Sequence, residues 1–69
     1  MIKDLTKREL QVLELVAENK SNPKIAKALM ISIHTVKAHI CSIIDKLNAN
    51  GRTHAAVKAV KLGIIDIKL

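Results

Sequence analysis

The sequence predicts an all-α protein, a compact four-helix bundle in which the second and third helices form a helix-turn-helix. Residues 21–47 contain two capped helical segments that only a tight turn separates. Apolar residues elsewhere recur three or four positions apart, which is the spacing of one helix face and not the alternation of a strand. Residues 1–69 suffice for one small domain and not for two.

The first helix is predicted over residues 6–18. Thr6 and Glu9 have the spacing of a capping box, in which each side chain accepts a hydrogen bond from the backbone N–H of the other residue. Asn19 is the expected stop, because asparagine tolerates a left-handed backbone better than most residues do. The apolar residues expected to face the core are Leu10, Leu13, Val16 and Ala17.

The second helix is predicted over residues 23–30. Asn22 is a suitable N-cap, and Pro23 would occupy the first helical position, where its missing N–H is not needed. A turn at Met30 and Ile31 would follow. The residues expected to face inward are Ile25, Ala26 and Leu29, and those expected to face outward are Lys24 and Lys27.

The third helix is predicted over residues 33–47, with Ser32 as its N-cap, and it has two unlike sides. A bulky apolar side opposite a thin, weakly charged side is typical of a helix that enters a DNA groove. The alternative is an ordinary amphipathic core helix whose outer side is merely solvated. The apolar stripe consists of Val36, Ile40, Ile43, Ile44 and Leu47. The outer stripe consists of His34, Ala38, Cys41, Ser42 and Asp45, with Lys37 on its border.

The fourth helix is predicted over residues 53–62, after a loop at residues 48–51. Thr53 is the expected N-cap and Gly63 the expected stop. Its apolar face would consist of Ala56, Val57 and Val60. The apolar residues that follow are hard to bury in so short a chain; they are Ile64, Ile65, Ile67 and Leu69.

Composition and charge favour a duplex nucleic acid as the partner. The chain has no Phe, Tyr or Trp, which argues against single-strand modules that stack bases on aromatic rings. The formal net charge is +6. Residues 1–19 carry three basic and four acidic residues, whereas residues 20–61 carry eight basic residues and one acidic residue, a net charge of +7. Such a segment indicates a surface for a polyanion, the alternative being a solvated surface without a partner.

Other classes of function receive little support from the residues. His39 and Cys41 stand two positions apart on a helix, so they do not face each other, and no base or carboxylate accompanies them as in an enzyme. Metal ligation by His34, His39, His54 and Cys41 lacks paired ligand spacings, and no cofactor is expected. Because one cysteine allows no internal disulfide and no signal peptide or membrane span is recognisable, we expect a soluble, cytoplasmic protein without a membrane partner.

Nearly the whole chain resembles one family, the LuxR-type (GerE-like) helix-turn-helix domain. The resemblance extends from Leu5 to Ile65 without gaps, through the segments LTKRELQVL, SNPKIAKALMIS, HTVKAH, IIDKL and GRTHAAVKAVKLGII. It implies a four-helix domain whose second and third helices bind double-stranded DNA sequence-specifically for transcription regulation and whose fourth helix serves for pairing. Such domains often end bacterial response regulators or quorum-sensing receptors. We therefore expect an excised output domain or a small stand-alone regulator.

The resemblance also assigns roles to individual residues. Lys37, in the family's TVK sequence, would reach DNA from the recognition helix, Ala38 and Cys41 would face bases, and Lys46 and Arg52 match basic positions. The full set expected at the DNA is Lys24, His34, Thr35, Lys37, Ala38, Cys41, Ser42, Lys46 and Arg52. The face expected for dimerisation follows from the residues themselves, which have no obvious place in so small a core: Val57, Val60 and Lys61, extended by Ile64 and Ile65. The alternative is that these residues close the bottom of the domain against the first helix. Expected partners are duplex DNA, a second copy of the chain on DNA and, as a further candidate, RNA polymerase.

Four departures from the family pattern and two rival interpretations remain. Asn19 replaces a usual glycine, Pro23-Lys24 a usual Lys-Glu pair, and Ala49 a usual valine. Ala38 and Cys41 are short, so direct readout would rest on few side chains.

A region-4-like sigma factor domain shares the opening of the chain, but it generally lacks the fourth helix predicted here. The second rival is a helix-turn-helix domain that has become a protein-interaction module. Such a module would bind its protein partner through the apolar tail.

Overall fold

Four α-helices make up the regular structure of residues 4–66, which are the residues that the computed structural model describes. The all-α prediction is confirmed, and each predicted helix end differs from the structure by at most one residue. Two of the apolar tail residues, Ile67 and Leu69, lie outside the described residues. The helices are α1 (Lys7–Ala17), α2 (Asn22–Leu29), α3 (Ile33–Leu47) and α4 (Arg52–Lys61).

The predicted capping box at the start of α1 is confirmed. The Glu9 backbone N–H donates to Thr6 Oγ1 at 3.1 Å, and the Thr6 backbone N–H donates to Glu9 Oε1 at 2.8 Å. At the other end, Asn19 has a φ of 63°, so it provides the left-handed stop expected of it. Both ends of α1 are therefore determined by residues that are close in the sequence.

Two of the other predicted caps are wrong. Ser21, not Asn22, caps α2: its Oγ accepts a hydrogen bond from the Lys24 backbone N–H at 3.4 Å. The N-cap of α4 is Gly51, without a side-chain hydrogen bond, and not Thr53. The loop before α4 is instead held by a side chain of that helix, because His54 Nδ1 accepts the Asn50 backbone N–H at 2.9 Å.

The turn between α2 and α3 sets the geometry of the helix-turn-helix. Met30 ends α2 in the left-handed region, with a φ of 57°. Ser32 then caps α3, as predicted, by accepting the Thr35 backbone N–H at 3.0 Å. The two helices meet at 105°, within the range of roughly 90–120° that this motif adopts.

The aliphatic core lies between α3 and the other three helices. As predicted, α3 contributes its apolar stripe: Val36, Ile40, Ile43 and Leu47 are buried, and Ile44 is partly buried. In α1, the fully buried residue is Val12, which the prediction missed, beside Leu13. In α4, the buried residues are Ala55, Ala56 and Ala59, whereas Val57 is exposed, contrary to the predicted face. Small side chains face the core there because α4 packs closely against α1 and α3.

The segment after α4 is more buried than the sequence suggested. Gly63 has a φ of 73°, the left-handed turn that stops the helix as predicted. The chain then returns towards the core, where Ile65 is only 6% exposed and Ile64 is partly buried. The expectation that Ile65 extends a pairing surface is therefore wrong, since this side chain is part of the core.

A buried carboxylate connects α1 with α3. Glu9, only 4% exposed, accepts hydrogen bonds from Ser42 Oγ at 2.5 Å and from Lys46 Nζ at 2.7 Å, besides the backbone N–H of Thr6. Burial alone would raise the pKa of Glu9. The hydrogen bonds from Lys46, Ser42 and Thr6, together with the positive charge of Lys46, outweigh burial and lower that pKa from 4.5 to about 2.

Replacing this carboxylate is expected to destabilise the domain in a pH-dependent way. Because the folded-state pKa is depressed, the stabilisation is present above pH 4.5 and lost as the pH falls towards 2. Glu9→Gln should therefore lower the free energy of unfolding by about 2–3 kcal/mol at pH 7. Urea denaturation followed by circular dichroism at pH 7, 5 and 3 measures both effects.

The matched control is Glu14→Gln, the same change at an exposed position of α1. It should leave both the stability at pH 7 and its pH dependence near those of the unaltered chain. If Glu9→Gln retained the acid sensitivity of the unaltered chain, the Glu9 network would not be the source of that sensitivity.

Candidate nucleic-acid interface

The outer side of α3 presents one exposed stripe. His34, Lys37, Ala38, Cys41 and Asp45 are all exposed, and they stand three or four residues apart, on one side of the helix. The opposite side of α3 is the apolar stripe in the core. Because the side chains at Ala38 and Cys41 are short, the middle of the stripe can approach another molecule closely.

The N-terminal end of α3 is electrostatically positive. Its first turn contains no acidic residue, and the unpaired backbone N–H groups of a helix start carry roughly half a positive charge. The Thr35 hydroxyl is within 2.9 Å of the Ser32 hydroxyl, so Thr35, predicted at the DNA, also takes part in capping α3. His34 is exposed in the same turn.

Three exposed lysines on α2 and α3 have no partner within the described part of the chain. Lys24 and Lys27 lie on the outer side of α2, and Lys37 lies on the α3 stripe. Lys27 was not among the residues predicted at the DNA. Its spacing of three from Lys24 was the available signal, because residues three apart share a helix face.

Three other residues predicted at the DNA have partners within the protein. Ser42 and Lys46 bond the buried carboxylate of Glu9. Arg52 joins the start of α4 to the start of α2: its guanidinium donates to Asn22 Oδ1 and, at 2.9 Å, to the carbonyl oxygen of Lys20. The sequence alone could not show this, since these partners are 30 or more residues apart.

Two large apolar side chains flank the start of α3, and sequence analysis did not assign either of them to the site. Met30, in the turn, is 91% exposed, and Ile33, the first residue of α3, is 43% exposed. Hydrophobicity alone gave no reason to place them outside. Met30 lies in the turn with a left-handed backbone, and neither of the two side chains is part of the core.

The outer side of α4 is a second, separate surface. Val57 is 46% exposed, Leu62 is 48% exposed, and Lys61 is also exposed, whereas Val60 and Ile64, likewise predicted for dimerisation, are partly buried against the core. A groove of about 200 Å³ lies between this helix and α1. Its lining includes Val16, Ala17, Ala56, Val57 and Val60, with Asn19, Arg52 and Thr53.

The described residues offer little for other kinds of site. Cys41 is exposed and unpaired among them. No three His, Cys, Asp or Glu side chains within residues 4–66 are grouped so that they could hold a metal ion. None of the four helices is by itself long and apolar enough to cross a membrane.

The fold and the exposed α3 stripe define a helix-turn-helix domain of four helices, and sequence comparison identifies its family. The chain belongs to the luxR family of bacterial regulatory proteins, since the sequence model of that family matches residues 3–59. The family resemblance inferred from the sequence is thereby confirmed.

Individual relatives support the assignment. The chain is 53% identical over 62 residues to the transcriptional regulatory protein LiaR of Bacillus subtilis (strain 168), an alignment that covers 90% of this chain and 29% of LiaR. It is 40% identical over 63 residues to the spore germination protein GerE of the same strain, covering 91% of this chain and 85% of GerE. A solved structure, described as that of the transcription factor GerE, superposes with a TM-score of 0.87 at 33% identity, covering 96% of this chain and all of that one. The chain thus spans less than a third of LiaR but most of GerE.

Proposed function

We propose that this chain binds double-stranded DNA sequence-specifically through α2 and α3 and thereby regulates transcription. The observation that carries the proposal is the outer stripe of α3, which is thin, exposed and opposite a fully apolar side. A helix of this kind can lie in the major groove, which is about 12 Å wide. Its setting at 105° to α2 is the arrangement in which the preceding helix crosses the DNA backbone.

The charges support a division of roles among the side chains. Lys24 and Lys27 on α2, together with the positive N-terminal end of α3 and His34, are suited to phosphate contacts, which position a protein without specifying sequence. Lys37, from the stripe itself, is suited to the edge of a guanine. Ala38 and Cys41 would pack against base edges, where short apolar groups contact the thymine methyl.

Ser42, Lys46 and Arg52 have a different role in this proposal. Their bonds to Glu9, Asn22 and the Lys20 carbonyl orient α3 and α2 relative to α1 and α4. They act on DNA chiefly by holding the contacting helices in place. Any phosphate contact by Lys46 or Arg52 would have to share the donors already used within the protein.

The biological setting follows from the family. LiaR, of which the chain spans less than a third, is named as a transcriptional regulatory protein, whereas GerE is little longer than this chain. The domain would therefore act either as the output part of a response regulator or as a small stand-alone regulator. In both cases it works in the bacterial cytoplasm, where the chromosome lies, and RNA polymerase is a candidate partner at the promoter.

Binding to duplex DNA is expected to depend strongly on salt. With Lys46 and Arg52 engaged internally, about three to four phosphates would be neutralised per chain, so the logarithm of the binding constant should fall with that of the salt concentration at a slope of about −3 to −4. Fluorescence anisotropy on a labelled duplex measures this slope. A slope near zero, or no binding at low salt, would refute the proposed function.

Removing the Lys37 side chain should relax sequence preference. Lys37→Ala is expected to weaken binding to the preferred site, obtained by selection from a random duplex library, by about 1–3 kcal/mol, because a bond to a base edge is lost. The matched variant Lys24→Ala should weaken binding to all sequences alike and reduce the salt slope by about one unit. Unchanged sequence preference in Lys37→Ala would mean that α3 does not contact bases through this residue.

We further propose that two chains pair on DNA through the outer surface of α4. Val57 and Leu62 leave apolar area exposed next to the groove between α1 and α4, and Lys61 borders it. Val60 and Ile64 would contribute only their exposed parts. Pairing on adjacent half-sites about one helical turn apart is the usual geometry of helix-turn-helix dimers.

A carboxylate at Val57 should abolish cooperative binding without unfolding the domain. Val57→Glu places a charge on a half-exposed side chain, so the helical circular dichroism spectrum and binding to a single half-site should persist. Gel-shift titrations on one and two half-sites measure the cooperativity. Gln11→Glu adds the same charge at an exposed position of α1 and should leave cooperativity intact. Unfolding of Val57→Glu, or full cooperativity in it, would contradict pairing through this surface.

A further inference from the structure

Asp45 is an unusual residue on the exposed stripe of α3. It is the only acidic residue between positions 20 and 61, and it is exposed one turn beyond Cys41. It lies in the last turn of α3, where the helix dipole already contributes negative charge. An acidic residue at this end is unfavourable for the helix by itself.

No basic side chain within residues 4–66 forms an ion pair with the Asp45 carboxylate. Its neighbours one turn back on α3 are Cys41 and Ser42, and the residues three and four positions ahead, beyond the end of the helix, are Asn48 and Ala49; none is basic. The adjacent Lys46 points its ammonium group to Glu9 at 2.7 Å. The negative charge of Asp45 is therefore unpaired within the described residues and exposed to a molecule that approaches the stripe.

The sign of the charge on the stripe therefore changes from one end of α3 to the other. The helix start and Lys37 make its first half positive, whereas Asp45 and the helix end make its last turn negative. The two ends, His34 and Asp45, are about 16 Å apart along the axis at 1.5 Å per residue, which exceeds the groove width of about 12 Å. When the first half of a crossing helix lies in the groove, its last turn comes near the phosphates of the groove edge.

We propose that Asp45 is a specificity-determining residue that acts by repulsion from the DNA backbone. The Asp45 carboxylate disfavours complexes in which α3 lies flat across phosphates. It does not disfavour the complex in which the N-terminal half of α3 enters the groove. Sequence-independent binding is therefore weakened more than binding to the preferred site. This inference rests on the proposed function, since it presumes that α3 faces duplex DNA.

The test compares Asp45→Asn and Asp45→Glu with the unaltered chain on the selected site and on an unrelated duplex of equal length, by anisotropy at low and at moderate salt. Asp45→Asn should tighten binding to the unrelated duplex about three- to tenfold at low salt, from the loss of repulsion by one or two nearby phosphates. The selected site should gain less, so the ratio of the two affinities falls. Asp45→Glu keeps the charge and should keep the ratio.

The matched control is Glu14→Gln, which makes the same change in net charge on an exposed position of α1. It should change the ratio little. Equal effects of Asp45→Asn and Glu14→Gln would show that only net charge matters, and weaker binding of Asp45→Asn to the selected site would show that Asp45 accepts a bond from a base; either result overturns the inference. Absence of salt-dependent duplex binding by the unaltered chain would instead refute the proposed function itself.

Discussion

The buried carboxylate of Glu9 is the interaction on which the arrangement of the domain depends. One oxygen accepts the Thr6 backbone N–H and the Lys46 ammonium, and the other accepts the Ser42 hydroxyl. The capping group of α1 therefore also determines where the second half of α3 lies. A carboxylate so deeply buried is tolerable only because it is fully paired, so the residues that satisfy it cannot move independently of one another. This constraint therefore also determines the orientation of the outer stripe of α3.

The basic residues that bond within the protein and those exposed on α2 and α3 form two groups that composition does not distinguish. Lys46, Arg52 and Lys58 donate to protein oxygens, and they connect elements that the chain separates. Lys24, Lys27 and Lys37 are exposed on α2 and α3 without such partners in residues 4–66. Net charge indicated a polyanion as the partner, but on the surface that α2 and α3 present only the second group is free of bonds within residues 4–66. In this domain, whose aliphatic core is small, some of the basic side chains thus stabilise the fold and are not free to bind a partner.

Sequence analysis predicted the local features of the fold well and the long-range ones poorly. The Thr6–Glu9 box, the Ser32 cap and the stops at Asn19 and Gly63 follow from spacing and residue type. By contrast, the partners of Ser42 and Arg52 depend on tertiary geometry, which no spacing reveals. In α4, the pattern favoured the larger Val57 for the core, yet Ala59 is buried, because close helix packing selects for small size rather than hydrophobicity. The two sides of α3 were predictable from 3.6-residue periodicity, with one exception: Ser42 was placed on the outer stripe, but it is partly buried and bonds Glu9.

The composition of that stripe bears on how the domain would discriminate among DNA sequences. Ala38 and Cys41 have few hydrogen-bonding groups, so attractive readout would come mainly from Lys37 and from shape. A protein with few attractive contacts to bases gains specificity when incorrect complexes are made less favourable, because discrimination is a difference between two affinities. The single acidic residue among the basic ones, at the end of the same stripe, supplies such a penalty. Attraction at the start of α3 and repulsion at its end would together favour one orientation of the helix on the duplex.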